Sequence, residues 1–187
     1  MSLEDIPKTI KIENVVASTS ITSTIDLERV SELIEGAEYN KKRFPGAIYR
    51  LKEPKLAVLV FGSGKIVCTG AKKISNVKIG VTKIFEKLEE IGISTEGQTE
   101  LVLHNIVSSA DLGCVINLDA VSMGLGFENI EYEPEQFPGL VYRIKEPKSV
   151  VLLFGSGKMI ITGCKTPEDS KLVVIKIVND LDELGLL

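Results

Sequence analysis

The sequence predicts an α+β fold built from two copies of one unit, each an antiparallel sheet with helices packed on one side. Three observations predict it. One segment is written twice: residues 39–72 return as residues 132–165, and at a shift of 93 these 34-residue stretches agree at 20 positions without a gap. Each copy holds short β-branched, apolar runs separated by Gly and Pro turn signals. Each copy closes on a run with apolar residues at helical spacing. Two fused copies of one unit are expected to pack about an approximate two-fold axis, so the chain reads as a built-in dimer, with residues 1–92 as one repeat and 93–187 as the other.

The elements follow in order. Each repeat opens on a strand pattern, residues 9–21 and 100–114, in which Asn14-Val15-Val16 matches Asn105-Ile106-Val107 at a shift of 91. The shift reaches 93 by Tyr39 and Tyr132, so two residues were gained or lost in between. Asp26-Leu27-Glu28-Arg29-Val30 reads as a short helix with Asp26 as its N-cap. Three strands come next, 47–51, 56–61 and 65–70, with Glu53-Pro54-Lys55 and Gly62-Ser63-Gly64 as the turns between them. Their counterparts are 140–144, 149–154 and 158–163. Ile74, Val77, Val81, Ile84, Phe85, Leu88 and Ile91 then mark a long helix. In the second repeat Thr166 caps it, Pro167 suits its first turn, Glu168 and Asp169 favour its positive end, and Leu172, Ile175, Val178 and Leu181 form its apolar stripe. The unit is strand, helix, several strands, long helix.

Composition excludes several classes. A chain of 187 residues that is 44% hydrophobic and 26% charged is globular and not disordered. No apolar run approaches the ~20 residues of a membrane span, and Met-Ser-Leu-Glu-Asp is not a signal peptide, so an intracellular protein without a membrane partner is expected. Cys68, Cys114 and Cys164 form no metal-type spacing and read as core thiols in a reducing compartment. The net charge is −4. Through Gly92 there are 15 Lys+Arg against 12 Asp+Glu; beyond it there are 7 against 14. Repeats of opposite charge are expected to meet different partners. Catalysis is not expected. His104 is the single histidine, and Gly62-Ser63-Gly64-Lys65 lacks the spacing and following helix of a phosphate loop. No cofactor or metal is expected.

The central strands are apolar on both faces. Leu56, Val58 and Val60 alternate with Ala57, Leu59 and Phe61; Val151 and Leu153 alternate with Val150, Leu152 and Phe154. One long helix per repeat covers one side of a sheet. The other face is either packed on the second repeat as a sandwich or exposed as a binding surface. Neighbouring strands favour the second alternative, because Asn14, Val16 and Ser18, and Asn105, Val107 and Ser109, put amides and hydroxyls on one face. Lys65, Val67 and Thr69, with Lys158, Ile160 and Thr162, add a cation at the rim.

The doubled set Asn-x-Val, FPG, YR, EPK, F-x-S-G-K and TG-x-K, in register over nearly the whole chain, resembles the core domain of the TATA-binding protein family, general transcription factors of archaea and eukaryotes. Without a long N-terminal extension the chain is most similar to archaeal members. Cys164 where the first repeat has Ala71, and Gly62 and Gly155 beside the phenylalanines, depart from the commonest pattern. The resemblance implies a saddle: one curved antiparallel sheet across both repeats, helices on the convex back, and a concave face that meets the minor groove of TATA-box DNA.

By the same resemblance, Phe44 with Phe61 and Phe137 with Phe154 wedge between base pairs at the two ends of the site and kink it. Asn14, Thr69, Asn105 and Thr162 supply donors to the groove floor, and Val16, Leu59, Val67, Val107, Leu152 and Ile160 supply apolar contact. Arg50, Lys65, Lys72, Arg143, Lys158 and Lys165 hold phosphates. Glu133 and Glu135, acidic where the first repeat has Asn40-Lys41-Lys42-Arg43, receive the B-type general transcription factor, with RNA polymerase recruited indirectly. One chain per DNA site is implied, acting in the nucleoid of an archaeal cytoplasm (a nucleus, if eukaryotic); pairing of free chains is left open. The rival reading is a protein-binding module of the same shape whose concave face takes an acidic protein and not DNA.

Overall fold

The structure, a computed structural model, describes residues 2–187. The chain divides into two compact units, one of Asn14–His104 and one of the residues through Glu13 with Asn105–Leu187. Each is α+β, the expected class.

In the first unit the sheet order is β2 (Ala37–Glu38), β3 (Gly46–Leu51), β4 (Leu56–Phe61), β5 (Lys65–Ala71), β1 (Lys11–Ser20), all antiparallel. The helices are α1 (Leu27–Leu33) and α2 (Ile74–Glu90). The other unit repeats this order as β7 (Ile130–Glu131), β8 (Gly139–Ile144), β9 (Ser149–Phe154), β10 (Lys158–Cys164), β6 (Val102–Asp111), with α3 (Leu118–Leu125) and α4 (Pro167–Glu183). A 3-10 helix, Leu3–Thr9, packs on α4.

Local signals account for the helix starts. The Asp26 carboxylate accepts the backbone N–H groups of Glu28 and Arg29, and Asn117 caps α3 through Ala120 N–H. Thr166 and Asp169 form a reciprocal capping box at α4, with Pro167 in the first turn. The caps Asp26 and Asn117, and the buried Val30 and Val121 behind them, keep the 91-residue shift of the opening strands.

Strand alternation sends one face into each core. Leu56, Val58 and Val60 of β4 and Val77, Ile84 and Leu88 of α2 are buried where the two elements pack; Val151 and Leu153 of β9 share one buried cluster with Val173, Val174 and Ile177 of α4. Removing such side chains from water at about 25 cal/mol per Å² is the main stabilising term for each unit. The hairpin glycines are required where they stand. Gly157 has φ +83°, and a Cβ there would lie 2.0 Å from the Cys114 carbonyl oxygen; Gly64 (φ +86°) meets the Ile21 oxygen at 2.5 Å in the same way.

Candidate nucleic-acid interface

The face of each sheet that its helices leave uncovered carries the expected side chains in aligned rows. In the first unit Ile48, Leu59, Val67 and Ser18 stand side by side across four strands, and Arg50, Ala57 and Thr69 form the next row. In the other unit the rows are Val141, Leu152, Ile160, Ser109 and Arg143, Val150, Thr162. Leu59, Val67, Val16, Leu152 and Val107 are half-buried and Ile160 is 38% exposed, so this face is not sealed in the manner of a sandwich core.

The four phenylalanines form two matched pairs. Phe44 and Phe61 meet edge to face with ring centroids 5.7 Å apart, and Phe137 and Phe154 do so at 5.9 Å. None is buried, and Phe137 is 38% exposed. A glycine makes room for each pair. A Cβ on Gly46 would approach Phe44 Cε1 to 3.0 Å and Phe61 Cε1 to 3.1 Å; on Gly139 it would approach Phe137 Cε1 to 2.7 Å and Phe154 Cε1 to 3.0 Å. The glycine of the FPG motif therefore positions the aromatic pair. The turns before the motif are superposable in bonding: Phe44 and Arg43 N–H donate to the Asn40 oxygen, and Phe137 and Gln136 N–H donate to the Glu133 oxygen. One turn presents basic side chains and the other exposes Glu133 and Glu135.

Sequence reasoning assigned the asparagines a role but missed what orients them. A bulge sets two residues of β5, Thr69 and Gly70, opposite one of β1, and the same occurs at Thr162 and Gly163 of β10 opposite β6. Gly70 (φ +89°) and Gly163 (φ +94°) turn their N–H groups out of the ladder. Asn14 Oδ1 accepts Gly70 N–H at 2.6 Å, and Asn105 Oδ1 accepts Gly163 N–H at 2.7 Å. With the oxygen occupied by a donor, each amide nitrogen is fixed on the other side, where it donates to Thr69 Oγ1 at 3.4 Å and to Thr162 Oγ1 at 3.1 Å. The recurring Thr-Gly dipeptide was the signal.

Arg50, Lys65, Lys72, Arg143, Lys158 and Lys165 are all exposed. They are not equivalent in their surroundings. Arg143 Nε donates to Glu131 Oε1 at 3.0 Å, and both side chains are more than half exposed, so the pair is worth at most about 1 kcal/mol and opens readily. His104, without a histidine partner in the other repeat, has a glutamate one: its Nε2 lies 2.6 Å from Ser18 Oγ, while Ser109 Oγ donates to Glu13 Oε1 at 2.8 Å. Among the described residues no carboxylate hydrogen-bonds the imidazole of His104, so a nucleophile–base–acid relay is not assembled there. Cys68 and Cys164 are buried, and burial raises both thiols, Cys68 to about 11; Cys114 is exposed. No helix among the described residues is long and apolar enough to cross a membrane.

Comparison with known proteins places these features in a family. The family model described as transcription factor TFIID (or TATA-binding protein, TBP) matches twice, over residues 9–91 and 100–184. TATA-box-binding protein E of Halobacterium salinarum is 55% identical over 185 residues, covering 99% of this chain and 100% of that protein. The TATA-box-binding protein of Archaeoglobus fulgidus is 56% identical over 178 residues, covering 95% and 97%. The solved structure of Methanococcus jannaschii TBP superposes with a TM-score of 0.84 at 50% identity, covering 93% of this chain and 98% of that one.

Proposed function

The chain belongs to the TATA-binding protein family, and on that premise we propose that it is a general transcription factor that binds TATA-type promoter DNA in the minor groove. The observation that carries the reading is the uncovered sheet face with its two edge-to-face phenylalanine pairs, repeated in both units. B-DNA's minor groove offers a floor of acceptors at A·T pairs and walls of phosphate. The amides of Asn14 and Asn105 meet the acceptors, the Val, Leu and Ile rows press on the sugars and base edges, and the six cations meet the phosphates. The phenylalanine pairs enter base steps at the ends of the site. Unstacking costs a few kcal/mol per step and bending roughly 1–6 kcal/mol, offset by apolar contact along the widened groove.

Footprinting on random DNA fragments tests this. Protection is expected over A·T-rich sites, with hyperreactive steps at both ends and affinity that falls as salt rises; protection without sequence preference, or none, overturns it.

The acidic turn gives the complex a direction. Glu133 and Glu135 are proposed to receive the B-type general transcription factor, which then brings RNA polymerase. Glu133→Arg with Glu135→Arg is expected to leave DNA affinity within about threefold while reducing ternary-complex assembly with that factor at least tenfold, since like charges facing each other across an interface cost several kcal/mol. Ternary assembly at the normal level in a gel shift would remove the role.

A further inference from the structure

The most exposed large apolar side chains of the chain are concentrated on the short helix α3 and its flanks: Val115 is 85% exposed, Phe127 78% and Met123 71%. Asp119 and Met123 share one face of α3, four residues apart, and Phe127 follows just past its end. Leu184, 38% exposed, closes the patch from α4's end: a Cβ on Gly124 would come within 2.6 Å of its Cδ1. The buried side of α3, Leu118 and Val121, faces the core behind β8, so the patch lies on the helix side of its unit and leaves the uncovered sheet face free.

The duplication supplies an internal control. At the 91-residue shift that the helix caps obey, Val115, Asp119 and Met123 correspond to Thr24, Glu28 and Glu32. The first repeat is polar at all three of these positions, and the large apolar side chain its short helix exposes is Leu33, at 57%. From Leu27 to Ala37 the first repeat advances ten residues, and from Leu118 to Ile130 the second advances twelve; Phe127 lies in the lengthened part. Apolar side chains gathered into one exposed patch, unlike ones scattered singly, mark a binding surface.

Charge says what covers it. No Lys or Arg occurs anywhere between Lys87 and Arg143, and α4 ends without a basic residue in its last turn. Asp119, Glu128, Asp182 and Glu183 are all exposed around the patch. We propose that α3 and its flanks form a second docking surface for a protein partner, whose contacting segment carries two or three apolar side chains flanked by Lys or Arg. Apolar area supplies the affinity, and the acidic rim selects and orients a basic segment. An acidic partner, or nucleic acid, is repelled by the same rim.

The test uses the full chain labelled for NMR and two 14-residue synthetic peptides with identical leucines, one carrying lysines and the other glutamates at the remaining charged positions. The lysine peptide is expected to shift resonances of Val115, Met123, Phe127 and Leu184 and to bind at least tenfold more tightly than the glutamate peptide. Met123→Glu, the first repeat's residue, combined with Phe127→Ser should reduce that binding at least tenfold. Both positions are exposed, so melting temperature and TATA-duplex binding should be unchanged. Equal binding of the two peptides, shifts confined to other surfaces, or no binding overturns the proposal. So does sedimentation showing self-association that the same double variant abolishes, because the occupant is then a second copy of this chain. Because TATA-duplex binding is measured in parallel, loss of that activity is scored separately.

Discussion

Replacing Phe137 and Phe154 together by alanine is expected to straighten one end of the bound DNA while weakening binding by only about tenfold. The asymmetry between shape and affinity comes from opposing terms. Burying two phenylalanine side chains stabilises the complex by roughly 1.5–3 kcal/mol each. Against this, the unstacked step costs a few kcal/mol, and that cost vanishes when no ring enters. The difference is on the order of 1–2 kcal/mol, about a factor of ten. Energy transfer between dyes at the two DNA ends should therefore report a longer distance at saturating protein. The free protein should lose little, because the edge-to-face contact is worth about 0.5–1.5 kcal/mol and Phe137 is already 38% exposed. Phe44→Ala with Phe61→Ala should act on the opposite end. A double variant that keeps both full affinity and the wild-type distance would remove the wedge from the mechanism.

The duplication is why so much of the fold was legible. A strand such as Lys65–Ala71 is ambiguous alone, but Lys158–Cys164 repeats its alternation in register, and both ends were placed within one residue. Elements without a periodic signal were not legible. Ala37–Glu38 and Ile130–Glu131 are two residues long, too short for alternation to appear. Leu3–Thr9 carries a proline inside a 3-10 turn and has no twin with the same residues. At the site, residue types were readable and their orientation was not. Nothing in Asn14 or Asn105 says which way the amide points; that depends on a bulge 55 or more residues away in sequence, where Gly70 and Gly163 present a stray N–H. Likewise Arg50 and Arg143 looked equivalent, and only the placement of Glu131 separates them.

Exchanging A·T for G·C pairs at the centre of the site is expected to cost roughly 1–3 kcal/mol for each pair, so two exchanges weaken binding by between about thirtyfold and about twenty-thousandfold. The cause is the fixed orientation of the two amides. Each asparagine oxygen is committed to a glycine N–H at 2.6 or 2.7 Å, so the amide cannot flip to offer an acceptor. A guanine amine projecting into the groove meets an N–H donor beside it and Val16, Leu59, Val67 or their counterparts Val107, Leu152 and Ile160 beneath it. It gives up water and gains no partner, a penalty of about 1–3 kcal/mol. The prediction separates this reading from recognition by deformability alone. Inosine–cytosine pairs restore the A·T-like minor groove because inosine lacks the amine, while their major-groove face stays that of G·C. Binding should fall on G·C substitution and return with inosine. If inosine and guanine behave alike, the oriented amides and the apolar rows are not what reads the base pair, and sequence preference must arise from bending.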